Sequence, residues 1–333
     1  MYIIGSLFAL LSYLVLVELI QPEDKRLQII EESLGTGVKY LGKSKGLYVF
    51  AMPYGEHVDT DGIQKLLRGF LGQHVEVTFD KYLYIKVYDF ELGNRYYMVK
   101  ARKDNSRVIV GRGYEGKVYH DFTKYPHMLV AGHTGYGKTE FIKSLIPQLE
   151  GEIVLIDMKA GDDYPLVTAN NVEEAERALR EAASEIGQRR KEHLFVIIDE
   201  AAELLPPEYL KTRQEKEPYL KCQEYIHKIA RMGRSSKIHL IYATQYPTAN
   251  VVPGQIKQNC ETRIVFRLPT QIGSGVALDE SGAEHLPAGV YGRAIYKNDR
   301  KVLMHTYLWK GEDWYAKIRV KKDTGRTDII DIG

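Results

Sequence analysis

The chain has 333 residues, with 46 Lys and Arg against 44 Asp and Glu, which gives a formal net charge of +2. This balance excludes a protein that binds nucleic acid through bulk positive charge, so any such contact needs a local basic cluster. Two cysteines exclude a disulfide framework and a zinc-binding pattern, while the length suggests two domains.

The first predicted element is an apolar run over residues 2–20, which contains one charged residue, Glu18. As a helix it would be about 28 Å long, close to the thickness of the bilayer hydrocarbon. A signal peptide would need a basic leading region and a small-residue cleavage site, and a buried core helix would show a polar face. We therefore expect a single span of the cytoplasmic membrane. Lys25 and Arg26 follow it and predict that the rest of the chain lies in the cytoplasm.

Residues 22–118 follow as a predicted small α+β domain with a membrane-proximal or assembly role. Its predicted helix, over 61–71, has apolar residues at helical spacing. Enrichment in Val, Ile and Tyr predicts its strands, at 46–52, 75–79, 82–88 and 96–101. No pattern in this region indicates catalysis.

A different pattern begins at about residue 119, where apolar runs alternate with helical stretches. Continuous Val, Ile and Leu runs are typical of strands that are buried on both faces of a parallel sheet. The five runs cover residues 127–132, 153–157, 194–199, 239–244 and 263–268. They predict an α/β domain with a mostly parallel central sheet over residues 119–310, followed by a charged C-terminal tail over 311–333.

Residues 132–139 fit the phosphate-binding pattern G-x-x-x-x-G-K-[ST], between a predicted strand and a predicted helix over 140–149. The glycines allow the backbone to wrap closely, so that consecutive N–H groups point at the phosphates of ATP. Lys138 is expected to reach the β- and γ-phosphates, and Thr139 to bind Mg²⁺. An ordinary glycine-rich turn is the alternative, which this context disfavours. The loop consists of Gly132, His133, Thr134, Gly135, Tyr136, Gly137, Lys138 and Thr139.

The third apolar run ends in two acids, Asp199 and Glu200. After a phosphate-binding loop, this pattern predicts that Asp199 holds the Mg²⁺ shell and that Glu200 orients and polarises the attacking water. An acid directly after the Mg²⁺ aspartate favours hydrolysis over kinase chemistry. Together the two motifs predict a P-loop NTPase fold, RecA-like and of the additional-strand type, with ATP and Mg²⁺ as its ligands.

A polar residue, Gln245, closes the fourth apolar run. In the usual strand order this run lies between the strands that carry the two motifs, so Gln245 is expected near the γ-phosphate, where it could sense it. The alternative is a polar strand end with no special contact.

Four arginines are candidates for a cation supplied to a neighbouring subunit's site, where it would stabilise charge on the transferring phosphoryl group. Arg234 is the first candidate and Arg231 the second, both before the fourth run. Arg263 and Arg267 flank the fifth run and could also lie at an interface. For each of them, a surface salt bridge is the alternative.

The motifs in this order resemble the FtsK/SpoIIIE family of DNA-translocating ATPases, over about residues 108–300. The matching segments are 108–112, 125–132, 156–159, 233–245, 254–259, 263–267 and 281–284. The resemblance implies a ring, expected to be a hexamer, that threads duplex or single-stranded DNA and has each active site between two subunits. It gives the ATPase roles to Lys138, Thr139, Asp199, Glu200 and Gln245. It also places Asp157 and Lys159 near the nucleotide and makes Lys257 a candidate for contact with DNA.

The sequence departs from the family pattern at Tyr136, where Ser is usual, and at Met158, which replaces Pro. The sequence predicts one membrane span and no terminal winged-helix domain. This layout favours a resemblance to the smaller family members from conjugative elements, plasmids or phages. We therefore expect a membrane-anchored DNA pump, with a relaxase or transfer-channel proteins as further candidate partners.

Two other functions stay open. The first is an ATPase that powers protein secretion, although such proteins usually string several motor domains in one chain. The second is a nucleotide-gated assembly protein that binds ATP without cycling, which the filled positions at Glu200 and Gln245 disfavour.

Overall fold

A computed structural model of the chain describes residues 22–35, 37–52, 58–100, 107–159, 163–164, 167–311, 319–321 and 327–328. The predicted membrane span over 2–20 lies outside these ranges. Within the described ranges, no helix has both the length and the apolar character that a membrane crossing requires. The chain divides into two compact units, residues 1–91 and residues 92–333.

In its described residues, the first unit is a four-stranded antiparallel sheet with two helices. Its sheet has the order β1-β2-β4-β3. The second helix is fixed at both ends, because Asp59 accepts a hydrogen bond of 2.9 Å from the Gly62 N–H and Gly72 ends it in the left-handed conformation. Buried Tyr48, Phe50 and Leu67 belong to its core. The elements are α1 (Pro22–Leu34), β1 (Lys39–Ser44), β2 (Leu47–Ala51), α2 (Thr60–Leu71), β3 (Val75–Phe79) and β4 (Leu83–Val87).

The second unit contains the larger sheet and the remaining helices of the described chain. Its strands are β5 (Tyr96–Met98), β6 (Arg107–Gly113), β7 (Gly116–Asp121), β8 (Met128–Ala131), β9 (Gly151–Ile156), β10 (His193–Asp199), β11 (Ile238–Thr244), β12 (Thr262–Phe266), β13 (Arg293–Lys297), β14 (Lys301–His305), β15 (Tyr307–Trp309), β16 (Arg319–Lys321) and β17 (Thr327–Asp328). Its α-helices are α3 (Lys138–Leu145), α4 (Val172–Ser184), α5 (Arg213–Met232), α6 (Gly254–Asn259) and α7 (Gln271–Leu278).

Strand order in the large sheet confirms the predicted parallel centre. The order is β17-β16-β9-β10-β11-β8-β12-β13-β14-β6-β7, and β5 pairs separately with β15. From β16 through β9, β10, β11 and β8 to β12, each strand is parallel to the next. At one edge β17 is antiparallel to β16, and at the other β13, β14, β6 and β7 continue the sheet in antiparallel fashion. The strand that ends before Gln245 therefore lies between the strands of the two motifs, as predicted.

The central strands are buried on both faces because successive side chains point to opposite sides of the sheet. On one side, Val196 and Leu240 pack in a core that includes residues of α4 and α5. On the other side, Phe195 and Ile241 pack in a core that includes residues of α3. Because both faces of the sheet are packed in this way, the carboxyl ends of β8, β10 and β11 are held rigidly side by side.

Three predicted boundaries differ from the structure. The predicted break at residue 118 is wrong, since β6 and β7 are hydrogen-bonded into the large sheet and the chain divides between residues 91 and 92. The predicted helix over 140–149 ends at Leu145 and continues as a 3-10 turn through Pro147, which lacks an N–H group. Part of the predicted tail is not a separate element, because β16 pairs with β9.

Candidate active site

The phosphate-binding loop depends on three glycines for its shape. Gly132 lies so close to β12 that an added Cβ would be 2.6 Å from the Cβ of Phe266. Gly135 and Gly137 have φ angles of +81° and +107°, which side-chain-bearing residues rarely adopt. Nothing lies within 4 Å of a Cβ placed on Gly135, so the loop is open where its backbone would approach a ligand.

Backbone hydrogen bonds tie this loop to three neighbouring segments. The Gly132 N–H donates to the Thr244 carbonyl at 3.3 Å, and the His133 N–H donates to the Arg267 carbonyl at 3.0 Å. The Gly292 N–H donates to the Tyr136 carbonyl at 2.9 Å. The loop is therefore positioned by the ends of β11, β12 and the segment before β13.

Lys138, Thr139 and Asp199 form one polar cluster at the carboxyl ends of β8 and β10. The Lys138 ammonium donates to Asp199 Oδ1, and the Thr139 hydroxyl donates to Asp199 Oδ2 at 3.1 Å. Lys138 is 3% exposed and Asp199 is 1% exposed. The structure thus brings the lysine and threonine of the first motif into contact with the aspartate of the second.

A further residue of this cluster, Tyr164, is absent from the sequence-based predictions. Its hydroxyl donates to Asp199 Oδ2 at 2.8 Å. Burial tends to raise the pKa of Asp199, but the Lys138 charge and the hydrogen bonds from Lys138 and Tyr164 together lower that pKa below its ordinary value. Burial and the Asp199 charge raise the pKa of Tyr164 well above its ordinary value, so this hydroxyl stays a donor.

Glu200 is held in a fixed orientation despite an unfavourable backbone conformation. Its φ of +122° is in a region that non-glycine residues rarely adopt. Its carboxylate is 1% exposed and accepts hydrogen bonds from the Thr244 hydroxyl at 2.8 Å and from the Gln245 N–H at 3.0 Å. The Lys159 ammonium lies 3.7 Å from the same carboxylate. The acid is therefore positioned by β11 and by the residues after β9.

Gln245 and Asp157 also lie at this edge of the sheet. The Thr134 hydroxyl donates to Gln245 Oε1 at 2.5 Å, so the glutamine contacts the phosphate-binding loop. Asp157 is 2% exposed and accepts a hydrogen bond of 3.1 Å from the Lys159 N–H. Burial raises the pKa of Asp157, and the nearby Asp199 charge adds to this effect.

The chain matches a known protein family and several of its curated members. The sequence model of the FtsK/SpoIIIE family matches residues 91–191. The chain is 33% identical over 288 residues to the DNA translocase FtsK of Caldanaerobacter subterraneus subsp. tengcongensis. The alignment covers 69% of this chain and 39% of that protein. The chain belongs to the FtsK/SpoIIIE family.

Other relatives support this FtsK/SpoIIIE assignment over a shorter range. The DNA translocase FtsK of Clostridium acetobutylicum is 30% identical over 230 residues, which is 55% of this chain and 28% of that protein. The chain thus spans well under half the length of the curated relatives that it matches.

Solved structures show the same fold as the FtsK/SpoIIIE-type chain described here. The pCW3 conjugation coupling protein TcpA has a TM-score of 0.63 at 22% identity, covering 85% of this chain and 93% of TcpA. The cytoplasmic domain of the type VII secretion ATPase EccC from Thermomonospora curvata has a TM-score of 0.52 at 21% identity, covering 64% and 30%. At these identities the likeness concerns the fold.

Arg231 and Arg234, the first two interface candidates of this FtsK/SpoIIIE member, lie away from its own cluster. Arg234 precedes β11 and Gln245 follows it, so the seven-residue strand separates them by about 20 Å. Both arginines are exposed and line a groove together with Lys237 and His193. The structure therefore does not bring Arg231 or Arg234 to the polar cluster of the same chain.

The remaining basic candidates have partners within the chain. Arg263 is 8% exposed and forms an ion pair with Asp279, as does Lys257. The Arg267 guanidinium donates from Nε to the Leu286 carbonyl at 2.9 Å and lies 5.7 Å from the centre of the Tyr136 ring. Arg263 is thus a buried structural residue, and Arg267 is packed against the chain's own phosphate-binding loop.

Proposed function

We propose that this chain is an ATP-driven DNA translocase. The observation that carries the proposal is the convergence of Lys138, Thr139, Asp199, Glu200 and Gln245 at one edge of a rigid sheet, in a member of the FtsK/SpoIIIE family. The curated relatives are DNA translocases, which supports DNA as the substrate that is moved.

The residues present fit ATP with Mg²⁺. The open backbone at Gly135 and the left-handed Gly137 suit a loop that wraps phosphates, and Lys138 supplies a positive charge beside it. The Thr139 hydroxyl and the Asp199 carboxylate, already in contact, are oxygen donors of the kind that Mg²⁺ prefers. When bound, Mg²⁺ neutralises charge on the phosphates.

In this proposal Glu200 orients and polarises the attacking water. The hydrogen bonds from Thr244 and Gln245 fix its carboxylate. Because Gln245 also contacts Thr134 of the phosphate-binding loop, it links the acid to the loop and is suited to sense the γ-phosphate.

We propose a ring, and specifically a hexamer, in which Arg234 completes the site of the neighbouring subunit. Support comes from its exposure and from its position about 20 Å along β11 from its own site, which excludes a role there. A cation placed near the transferring phosphoryl group stabilises the charge that develops in the transition state. Each site would then depend on two chains.

Membrane anchoring and a role in conjugative or mobile-element transfer belong to the same proposal. The apolar run over 2–20 supports a single-pass anchor with the motor in the cytoplasm. The likeness in fold to a conjugation coupling protein supports transfer of DNA between cells, with a relaxase or transfer-channel proteins as partners. Lys257 remains the proposed DNA contact, since its side chain is 25% exposed beside its ion pair.

The test is the rate of ATP hydrolysis by the full chain in detergent, without DNA, with single-stranded DNA and with duplex DNA. We expect stimulation by at least one form of DNA and loss of hydrolysis in Lys138→Ala. Lys221→Ala, which removes an exposed lysine on α5, is the matched control and should keep the wild-type rate.

Unchanged hydrolysis at saturating levels of both DNA forms would refute DNA translocation. Stimulation by a secreted protein in place of DNA would instead support the secretion ATPase. Separating membranes from soluble protein, for the full chain and for a variant without residues 2–20, tests the anchor. Equal amounts of the full chain and of the shortened variant in the membrane fraction would contradict the proposed anchor.

A further inference from the structure

Tyr164 is a buried side chain that touches the polar cluster from a side that neither motif supplies. It is 6% exposed and packs in the core beneath the sheet together with Phe141 and Ile142 of α3. Its hydroxyl donates to Asp199 Oδ2 at 2.8 Å. The contact joins the segment after β9 to the aspartate at the end of β10.

The segment that carries Tyr164 is also fixed to the helix that begins in the phosphate-binding loop. The Lys143 ammonium of α3 lies 3.6 Å from the carboxylate of Asp163 and 6.0 Å from the centre of the Tyr164 ring. The Tyr164 ring therefore packs in the core that includes α3 and also lies near the Lys143 side chain of that helix. A hydroxyl anchored in this way has little freedom to move away from Asp199.

The two oxygens of Asp199 have different partners. Lys138 donates to Oδ1, whereas Thr139 and Tyr164 both donate to Oδ2. Since the proposed task of Lys138 is to bind phosphates, nucleotide would compete for the contact at Oδ1. The Tyr164 hydroxyl donates to Oδ2, so nucleotide that binds Lys138 does not compete for this contact.

We propose that Tyr164 is a positioning residue, which holds the Asp199 carboxylate in the orientation that binds Mg²⁺. The inference rests on the proposed function, because it assigns a task to a residue of the same site. Hydrogen bonds to a metal-ligating carboxylate orient it, and the loss of such a partner typically weakens metal binding on the order of 10- to 100-fold. Without this bond, Asp199 can rotate away from Thr139.

The test is the Mg²⁺ requirement of Tyr164→Phe, which keeps the ring in the core and removes the hydroxyl alone. We expect the Mg²⁺ concentration for half-maximal binding of a fluorescent ATP analogue to rise on the order of 10-fold. Binding of the same analogue in EDTA should stay at the wild-type level, since the loop and Lys138 are unchanged. Because binding is measured, the test does not depend on hydrolysis.

Tyr296→Phe is the matched control. Tyr296 lies in the same core and is 1% exposed, but its hydroxyl accepts a hydrogen bond from Asn298 at 2.8 Å, away from Asp199. A Tyr164→Phe curve that superimposes on the wild-type Mg²⁺ curve overturns the inference, as does an equal shift in the control.

Failure of the proposed function has a different signature. In that case the wild-type chain itself would bind no ATP analogue, or its hydrolysis would not respond to DNA. A wild-type chain that binds the analogue with a Mg²⁺ requirement, together with an unshifted Tyr164→Phe, refutes the role of Tyr164 alone.

Discussion

Replacement of Glu200 by Gln is expected to separate hydrolysis from nucleotide binding. Oε1 of Glu200 lies 2.8 Å from the Thr244 hydroxyl oxygen and 3.2 Å from the Gln245 nitrogen. A glutamine carbonyl oxygen at that position can accept both of these hydrogen bonds, although the amide nitrogen replaces Oε2 and the 3.0 Å hydrogen bond from the Gln245 N–H to Oε2 is lost. The side chain should keep its place while its ability to polarise water is lost.

The expected loss of stability is small, whereas the expected loss of hydrolysis rate is large. The ion pair that is lost joins Lys159, which is 32% exposed, to the buried Glu200 carboxylate at 3.7 Å, and its contribution to stability is on the order of 1 kcal/mol. For a domain of this size, that corresponds to a change in Tm of about 2–4 °C. A positioned acid or base contributes about 10²- to 10⁴-fold to rate, or about 2.7–5.4 kcal/mol of barrier.

Single-turnover hydrolysis measures the change in rate, thermal unfolding measures the change in stability, and binding of a fluorescent ATP analogue shows whether nucleotide still binds. Glu203→Gln is the control, because Glu203 is an exposed acid three residues further along the chain. We expect Glu200→Gln to bind the analogue normally and to hydrolyse ATP at least 100-fold more slowly, by the same estimate. A rate within about threefold of wild type would show that Glu200 does not act on the water, since that is under 1 kcal/mol of barrier.

Three further predictions concern assembly, charge and packing. An equal mixture of Lys138→Ala and Arg234→Ala chains should recover hydrolysis at about a quarter of the interfaces of a ring, whereas no recovery would contradict the role of Arg234 in a neighbouring site. Burial raises the pKa of Asp157 in the folded chain, so the folded state favours the protonated acid. The resulting stabilisation is complete below the ordinary pKa of 3.8 and is lost as the pH rises through the raised pKa. Asp157→Asn should thus gain stability relative to the parent between pH 4 and pH 7 in urea unfolding, and an equal difference at both pH values would contradict this. Gly132→Ala should lower the free energy of unfolding by about 1–3 kcal/mol, because the added methyl group meets Phe266, and an unchanged urea midpoint would contradict that packing.

Sequence patterns predicted the centre of the motor well because local signals and tertiary structure agree there. Each of the five apolar runs is a strand within a few residues of its predicted ends, and Gln245 closes the strand between the two motifs. A strand that is buried on both faces must be apolar throughout, so its length is readable from the sequence. The contact between Lys138 and Asp199 follows from the parallel order of the strands.

Contacts that depend on long-range packing could not be predicted. Tyr164 lies 35 positions from Asp199, and nothing in its surrounding sequence distinguishes it from the many other tyrosines of the chain. Its position seven residues after Asp157, shortly past the matching segment 156–159, is the one signal that the sequence offers. The ion pairs of Arg263 and Lys257 with Asp279 are likewise not predictable from the sequence, because Asp279 lies in a helix cap further along the chain.

The domain break was misplaced for a related reason. Strands β6 and β7 have the alternating pattern of an antiparallel hairpin, which looks the same whether it belongs to a small domain or to the antiparallel extension of a large sheet. The pairing of β14 with β6 and the hydrogen bonds between the Ile109 backbone and the Gln148 side chain assign the hairpin to the second unit.

In the proposed ring, β11 joins two different sites through one piece of rigid backbone. One end of the strand carries Thr244 and Gln245, which hold the acid of the chain's own site, and Arg234 precedes the other end. All seven residues of β11 are buried, and strands pair with it on both sides, so it cannot bend independently of the sheet. A displacement imposed at one active site would therefore be transmitted along the strand to the neighbouring active site. This gives successive subunits of the ring a mechanical basis for hydrolysing ATP in order.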